Sequence, residues 1–289
     1  MLNILKERAA IECLRAFEPQ DEPYYLCYSG GKDSDTIRIL AELAGVRHTI
    51  ENNHTTVDAP ETVRYIRSIP NVHINYPKKT MWQLIVEKRM PPTRINRYCC
   101  AELKESGGKG RLRITGVRWD ESRNRRVNND VITIKDKTKR IRKTASELEA
   151  DVHETQKGGL VMNMDNDKNR RFVEHCYRTS NVMINPIIDW TDDDVWDFLR
   201  YYGCESNPLY RCGYNRIGCI GCPMAGEHRI VEFNNYPKYK NLYTMAFDRM
   251  VKKDNDDFIQ NRMNWKNGDD VMKWWLGEDP LQLSMFEEG

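Results

Sequence analysis

No apolar run in this chain of 289 residues approaches the roughly 18 residues that a bilayer-spanning helix needs, so a helical membrane protein is not expected. A secretory signal is missing as well: Met1-Leu2-Asn3-Ile4-Leu5-Lys6-Glu7-Arg8 is charged and amphipathic, without an apolar core. A cytoplasmic location is the expectation. Excess charge of one sign is absent, since 45 Lys and Arg stand against 43 Asp and Glu for a net charge of +2. Bulk electrostatics therefore give no argument for a nucleic-acid partner. Internal repeats and low-complexity tracts are lacking, and so is the GxxxxGK[ST] spacing of a Walker A loop. The nine cysteines do not form the evenly spread framework of a small secreted scaffold; their clustering points to metal.

The chemistry that is present starts at Tyr24-Tyr25-Leu26-Cys27-Tyr28-Ser29-Gly30-Gly31-Lys32-Asp33-Ser34. Tyr24 to Tyr28 is uncharged and reads as a buried strand. Ser29-Gly30-Gly31 breaks the pattern, and Asp33 and Ser34 open a helix over Thr36 to Leu43. A strand, a glycine turn and a helix N-terminus suit a phosphate: backbone N–H groups converge on the anion, and the helix dipole faces it. Lys32 adds a full positive charge there.

Elsewhere the pattern predicts a helix within residues 1–18, strands at Val46–Ile50, Val72–Tyr76, Arg111–Val117 and Met183–Ile188, and helices from Asp58 to about Ser68 and at Met81–Lys88. Alternating strands and helices argue for a mostly parallel sheet with helices on both faces, whose ligand lies beyond the carboxyl ends of the strands. Ser29–Ser34 and Gly116–Arg118 both fall at such ends. From about 128 to 181 the pattern weakens into turns and short strands, expected as an insertion. Thr191 with Asp192, Asp193 and Asp194 marks a helix start, the acids favouring the helix dipole rather than a metal. The expected division is a nucleotide-binding domain over 1–203 and a cysteine loop with a helical region over 204–289, where Trp265, Trp274 and Trp275 pack as core. The basic run Arg123, Arg125, Arg126, Lys135, Lys137, Lys139, Arg140, Arg142 and Lys143 reads as a solvated face or, more sharply, as a nucleic-acid edge.

Cys212-x6-Cys219-x2-Cys222-Pro223 supplies three closely spaced thiols, and Arg97-Tyr98-Cys99-Cys100 is the source for a fourth. Spacing alone admits a structural zinc or an iron–sulfur cluster. Cys13, Cys27, Cys176 and Cys204 read as small apolar residues.

Ser-Gly-Gly-Lys-Asp-Ser at 29–34 resembles the PP-loop of the adenine nucleotide alpha-hydrolase superfamily, and with it a Rossmann-like fold. Together with Arg97-Tyr98-Cys99-Cys100-x2-Leu103-Lys104, Gly116-Val117-Arg118-x2-Glu121-Ser122-x2-Arg125, Pro186-Ile187-Ile188-Asp189-Trp190, Asp194-Val195-Trp196 and Asn207-Pro208-Leu209-Tyr210, it is similar to the PAPS reductase family, from about residue 20 to 225. The likeness is to iron–sulfur members, such as the sulfurtransferase of DNA phosphorothioation and phage relatives. It implies a [4Fe-4S] cluster on Cys99, Cys212, Cys219 and Cys222; in the template of the adenylyl-sulfate reductases, Cys100 replaces Cys212. It further implies ATP or another adenine nucleotide on Ser29, Gly30, Gly31, Lys32, Asp33, Ser34, Gly116 and Arg118. Lys32 and Arg118 would neutralise a leaving pyrophosphate and Asp33 would orient Mg²⁺. Reductases of the family carry a nucleophilic cysteine near the C-terminus, whereas the last cysteine here is Cys222. The expectation is therefore adenylation of a substrate for sulfur transfer, with a sulfur donor protein or thiol as partner. The rivals are a sulfonucleotide reductase using a partner thiol and a non-catalytic nucleotide-binding accessory of a phage or defence system.

Overall fold

The computed structural model describes residues 2–253 and 265–278. Eight strands form one sheet in the order β3-β2-β1-β4-β8-β5-β7-β6. They are β1 (Tyr24–Cys27), β2 (His48–Asn53), β3 (Val72–Asn75), β4 (Arg113–Ile114), β5 (Ile132–Ile134), β6 (His153–Glu154), β7 (Leu160–Met162) and β8 (Val182–Ile184). The helices before the insertion are α1 (Ile4–Ala16), α2 (Lys32–Ala44), α3 (Pro60–Ser68) and α4 (Met81–Lys88). Those after the fourth strand are α5 (Arg123–Asn128), α6 (Lys139–Glu147), α7 (Asp167–Cys176), α8 (Asp192–Tyr201), α9 (His228–Asn235) and α10 (Pro237–Lys252), followed by a helix at Gly268–Leu276.

The pairs β1–β2, β1–β4 and β4–β8 are parallel, as expected for strands joined by helical crossovers. The weakly patterned stretch supplies β5, β7 and β6, which extend the sheet by antiparallel pairing from β8 outward. The turns that separate these short strands interrupt their alternation, which is why the stretch reads weakly in sequence. The fold is α/β around a mostly parallel sheet. Its core is continuous from Leu14 and Leu26 through Ile114 and Ile184 to Ile132, Met162 and Phe172, each fully or almost fully buried.

Two compact units share the chain. The first comprises Met1–Asn52, Glu61–Asn75 and Gly107–Ile217; the second comprises Asn53–Pro60, Tyr76–Ser106 and Gly218–Gly289. The two units are interleaved along the chain, since the segments that follow β2 and β3 belong to the second.

In the second unit α10 packs against α4 and the Gly268–Leu276 helix. Tyr243 lies at its centre, with ring centroids 4.9 Å from Trp82, 4.9 Å from Trp275 and 5.7 Å from Phe233. Trp265 and Trp275 are buried, and Trp274 meets Trp265 at 4.9 Å. Trp265 and Trp275 are packing residues, as expected from sequence, and Trp274 is half-buried against Trp265. Within the basic run, Arg125 pairs with Glu121, Arg142 with Glu154 and Lys143 with Glu147. Among the described residues no helix is long and apolar enough to cross a membrane.

Candidate nucleotide and thiol sites

β1 ends at Cys27, and the chain turns through Tyr28, Ser29 and Gly30 into α2, with Gly31 as its N-cap. Gly30 sits at φ +72°, and a Cβ there would stand 2.8 Å from Ile66 Cγ1, so the turn requires glycine. Ser34 ties the turn to the helix: its hydroxyl accepts from Gly31 N–H at 3.0 Å and donates to Gly31 C=O at 2.7 Å. Ser29 Oγ reaches Ser34 Oγ at 3.3 Å. Lys32 N–H donates to the Tyr210 hydroxyl at 2.9 Å. Asn207, fully buried, donates to Gly30 C=O at 3.0 Å and to Thr62 Oγ1 at 3.1 Å.

Charged groups collect at the start of α2. Lys32 Nζ lies 3.3 Å from Asp33 and 3.2 Å from Asp192. Arg118 is only 1% exposed; its Nε donates to Asp33 Oδ1 at 2.7 Å, its Nη1 donates to Trp190 C=O at 3.1 Å, and its Nη2 reaches Asp192. Burial would lift the Asp192 carboxyl, but the Arg118 and Lys32 donors outweigh it and hold the pKa below its usual value. Burial would likewise lower the Arg118 guanidinium, and the facing carboxylates raise it instead. Two cations are thus held by carboxylates that an incoming polyphosphate could replace.

Asp35, at no exposure, accepts from the Tyr28 hydroxyl at 2.6 Å and from Tyr65 at 3.0 Å, fastening the first turn of α2 to the end of β1 and to α3. Burial pushes its pKa up to about 6 against the pull of those two donors. Gly116 closes the site's other wall: a Cβ there would stand 2.9 Å from the Asp33 carbonyl oxygen and 3.0 Å from its carbonyl carbon. Backbone atoms cannot rotate away, so Gly116→Ala is expected to cost about 1–3 kcal/mol in stability. A urea midpoint lowered at unchanged slope would show it, and an unchanged midpoint would refute the close approach.

The first unit therefore brings together Ser29, Gly30, Gly31, Lys32, Asp33, Ser34, Gly116 and Arg118. Sequence reasoning missed Asp192, Tyr210, Asn207 and Asp35. Thr191 does cap α8, accepting from Asp194 N–H, so the acids there suit the dipole as expected; Asp192 additionally faces Lys32 and Arg118. The Asn207-Pro208-Leu209-Tyr210 motif was the available signal for the loop's polar partners.

In the second unit a cavity is lined by Cys99, Cys100, Cys219 and Cys222, with Thr55, Lys104, Leu103, Met81, Pro92, Pro223 and Tyr243 as its remaining walls. The Cys219-x2-Cys222 loop is pinned by Ile220 N–H to Val57 C=O at 2.8 Å, Gly221 N–H to Glu232 at 2.8 Å and Tyr243 Oη–H to Ile220 C=O at 3.0 Å. Cys219 Sγ donates to Thr55 Oγ1 at 3.4 Å. A hydrogen bond from Cys99, aided by Lys104 and Arg97, drops the Cys100 thiol well below its ordinary value despite burial. The Cys99 thiol rises by that same hydrogen bond, by burial and by the facing thiols. The Lys104 ammonium is held charged above all by Cys219. Cys212 belongs to the first unit, where it ends the short turn Pro208–Cys212 and is exposed. Among the described residues no group of three or more His, Cys, Asp or Glu is set closely enough to hold a metal ion.

An uncharacterized protein of Methanocaldococcus jannaschii is 24% identical over 258 residues, covering 85% of this chain and 52% of that protein. The adenosine 5'-phosphosulfate reductase of Allochromatium vinosum is 45% identical over 42 residues, 14% of this chain and 16% of that enzyme. The chain spans about half or less of the length of these curated relatives. Among solved structures, the phosphoadenylyl-sulfate reductase of Candida auris aligns with a TM-score of 0.43 at 16% identity, covering 73% of this chain and 88% of that one. The phosphoadenosine phosphosulfate reductase domain matches residues 23–225, well over half of the chain, and the protein belongs to that family.

Proposed function

We propose that the protein is an adenine-nucleotide-dependent enzyme that binds ATP at Ser29–Ser34 and activates a substrate by adenylation for sulfur transfer. The observation that carries this reading is the meeting of Lys32 and Arg118 at the N-terminus of α2, each held by Asp33 and Asp192. A substrate oxygen attacks the α-phosphorus, the bond to the β-phosphate breaks, and pyrophosphate leaves with the bonding electrons. A sulfur nucleophile from a donor protein or thiol then displaces AMP. Ser29, Ser34 and the backbone of Gly30 and Gly31 bind phosphate oxygens. Lys32 and Arg118 balance the charge that grows on the leaving pyrophosphate. Asp33 and Asp192 are the carboxylates that would hold a Mg²⁺, which would supply further positive charge against the phosphates.

A [4Fe-4S] cluster is the group that a tandem Cys99-Cys100 with Cys219-x2-Cys222 would take, four thiolates being its usual ligand complement. Cys99, Cys100, Cys219 and Cys222 would hold it, in place of the set containing Cys212. When bound it would supply a site that accepts or stages sulfur. Around it, Lys104 would offset thiolate charge, and the Thr55 hydroxyl, 3.4 Å from the Cys219 sulfur, would turn to donate to the thiolate.

A second reading is reduction of an adenylylated sulfo compound by a partner thiol. It is favoured by the tandem Cys99-Cys100 beside Cys219-x2-Cys222 and by the partial likeness to adenosine 5'-phosphosulfate reductases. Radiolabelled ATP separates the two. Release of AMP and pyrophosphate dependent on Lys32, reduced at least tenfold in Lys32→Ala, is the expected outcome. Thiol-dependent sulfite release from a sulfonucleotide, with no ATP turnover, would establish the second reading instead.

A further inference from the structure

We propose that Tyr210 stands in for a phosphate oxygen at the loop: its hydroxyl holds the Lys32 amide until a nucleotide phosphate takes that amide from it. This rests on the nucleotide reading above. Lys32 N–H is the first amide of α2, one of the four N-terminal donors without an intrahelical acceptor, and such donors are the ones by which helix N-termini hold anions. Here that donor is engaged by a phenol from 178 residues away, at 2.9 Å. The same oxygen is the nearest atom to the bare face of Gly31, 3.3 Å from where a Cβ would stand. The phenol oxygen therefore covers the glycine turn at the point where the backbone is open.

Its placement is built rather than incidental. Tyr210 lies in the turn Pro208–Cys212, which Asn207 caps by accepting from Leu209 N–H at 3.1 Å. The same Asn207 side chain donates to Gly30 C=O, so one residue anchors both the turn that carries Tyr210 and the loop that it covers. The ring rests edge-on against Trp196 of α8, with centroids 5.0 Å apart and planes at 89°. Burial, together with Asp33, Asp35 and Asp192, keeps the hydroxyl protonated, so it meets the amide as a neutral acceptor. Hydrogen bonds to a charged phosphate oxygen are roughly twice as strong as neutral ones. One N–H cannot serve both acceptors in the same position, and the phosphate wins. Tyr210 then leaves the amide, and its contact with Trp196 changes.

Calorimetric titration with ATP and with pyrophosphate, on the wild type and on Tyr210→Phe, tests this. The phenylalanine keeps the ring on Trp196 and removes the competing oxygen. Tyr210→Phe is expected to bind ATP about 3- to 10-fold more tightly, the worth of one net hydrogen bond. A hydroxyl that merely supports the loop, or that contacts the nucleotide, would instead give equal or weaker binding, and either result overturns the proposal. Tryptophan fluorescence of the wild type is expected to change on adding ATP, with the change lost in Trp196→Phe. Should Tyr210→Phe fail to fold, the absence of such a Trp196 signal overturns the proposal. Wild type that binds neither ATP nor pyrophosphate sinks the nucleotide reading along with the inference; wild type that binds while Tyr210→Phe matches it sinks the inference alone.

Discussion

Arg118→Ala is expected to lower the rate of AMP and pyrophosphate release by on the order of 10²- to 10³-fold, the usual cost of removing a donor aimed at developing charge. Arg118 is the most deeply buried cation of the site, and its fork spans Asp33, Trp190 C=O and Asp192 at once. Truncation removes a positive charge from the phosphates and leaves Asp33 and Asp192 sharing Lys32 alone. Net negative charge then faces the incoming nucleotide, so affinity falls with turnover. Arg118→Lys is expected to recover little, because a single ammonium cannot bridge three acceptors. Breaking a fully buried ion pair costs roughly 3–5 kcal/mol. Here the Asp192 side chain is 57% exposed, which reduces that cost and leaves the variant folded. Measured turnover within a few-fold of wild type, with the thermal midpoint unchanged, would remove Arg118 from the chemistry.

The second large effect concerns the thiols. Protein purified without oxygen is expected to be brown and to lose most of its iron in Cys99→Ser, Cys100→Ser, Cys219→Ser or Cys222→Ser. Cys212→Ser is expected to keep near-wild-type iron. Cys99, Cys100, Cys219 and Cys222 line one cavity within one unit, whereas Cys212 is exposed at the end of a turn in the other. Iron per chain, together with the visible spectrum, decides between the two ligand sets. Iron retained in Cys100→Ser but lost in Cys212→Ser would restore the set that the family resemblance implies, and a colourless protein holding stoichiometric zinc would dispose of the cluster altogether.

Legible in the sequence alone were the features set by local chemistry. An uncharged aromatic strand, a glycine turn and a capped helix need only neighbouring residues, so Ser29–Ser34 could be placed at a strand's carboxyl end without a structure. Thr191 before three acids marked the start of α8 for the same reason. The alternation of strand and helix specified an α/β fold with a largely parallel sheet. Tertiary structure alone decided what depends on residues distant in the chain. That Asp192 faces Lys32 and Arg118, beyond favouring its own helix, follows from where α8 ends up against α2. That Tyr210 covers the Lys32 amide, and that Cys100 rather than Cys212 lines the cavity with Cys219 and Cys222, are likewise contacts that no spacing encodes. Sequence determines which chemistry a residue can perform, because that is a property of the side chain. Which residues perform it together is determined by the packing that brings distant segments within a few ångströms of each other.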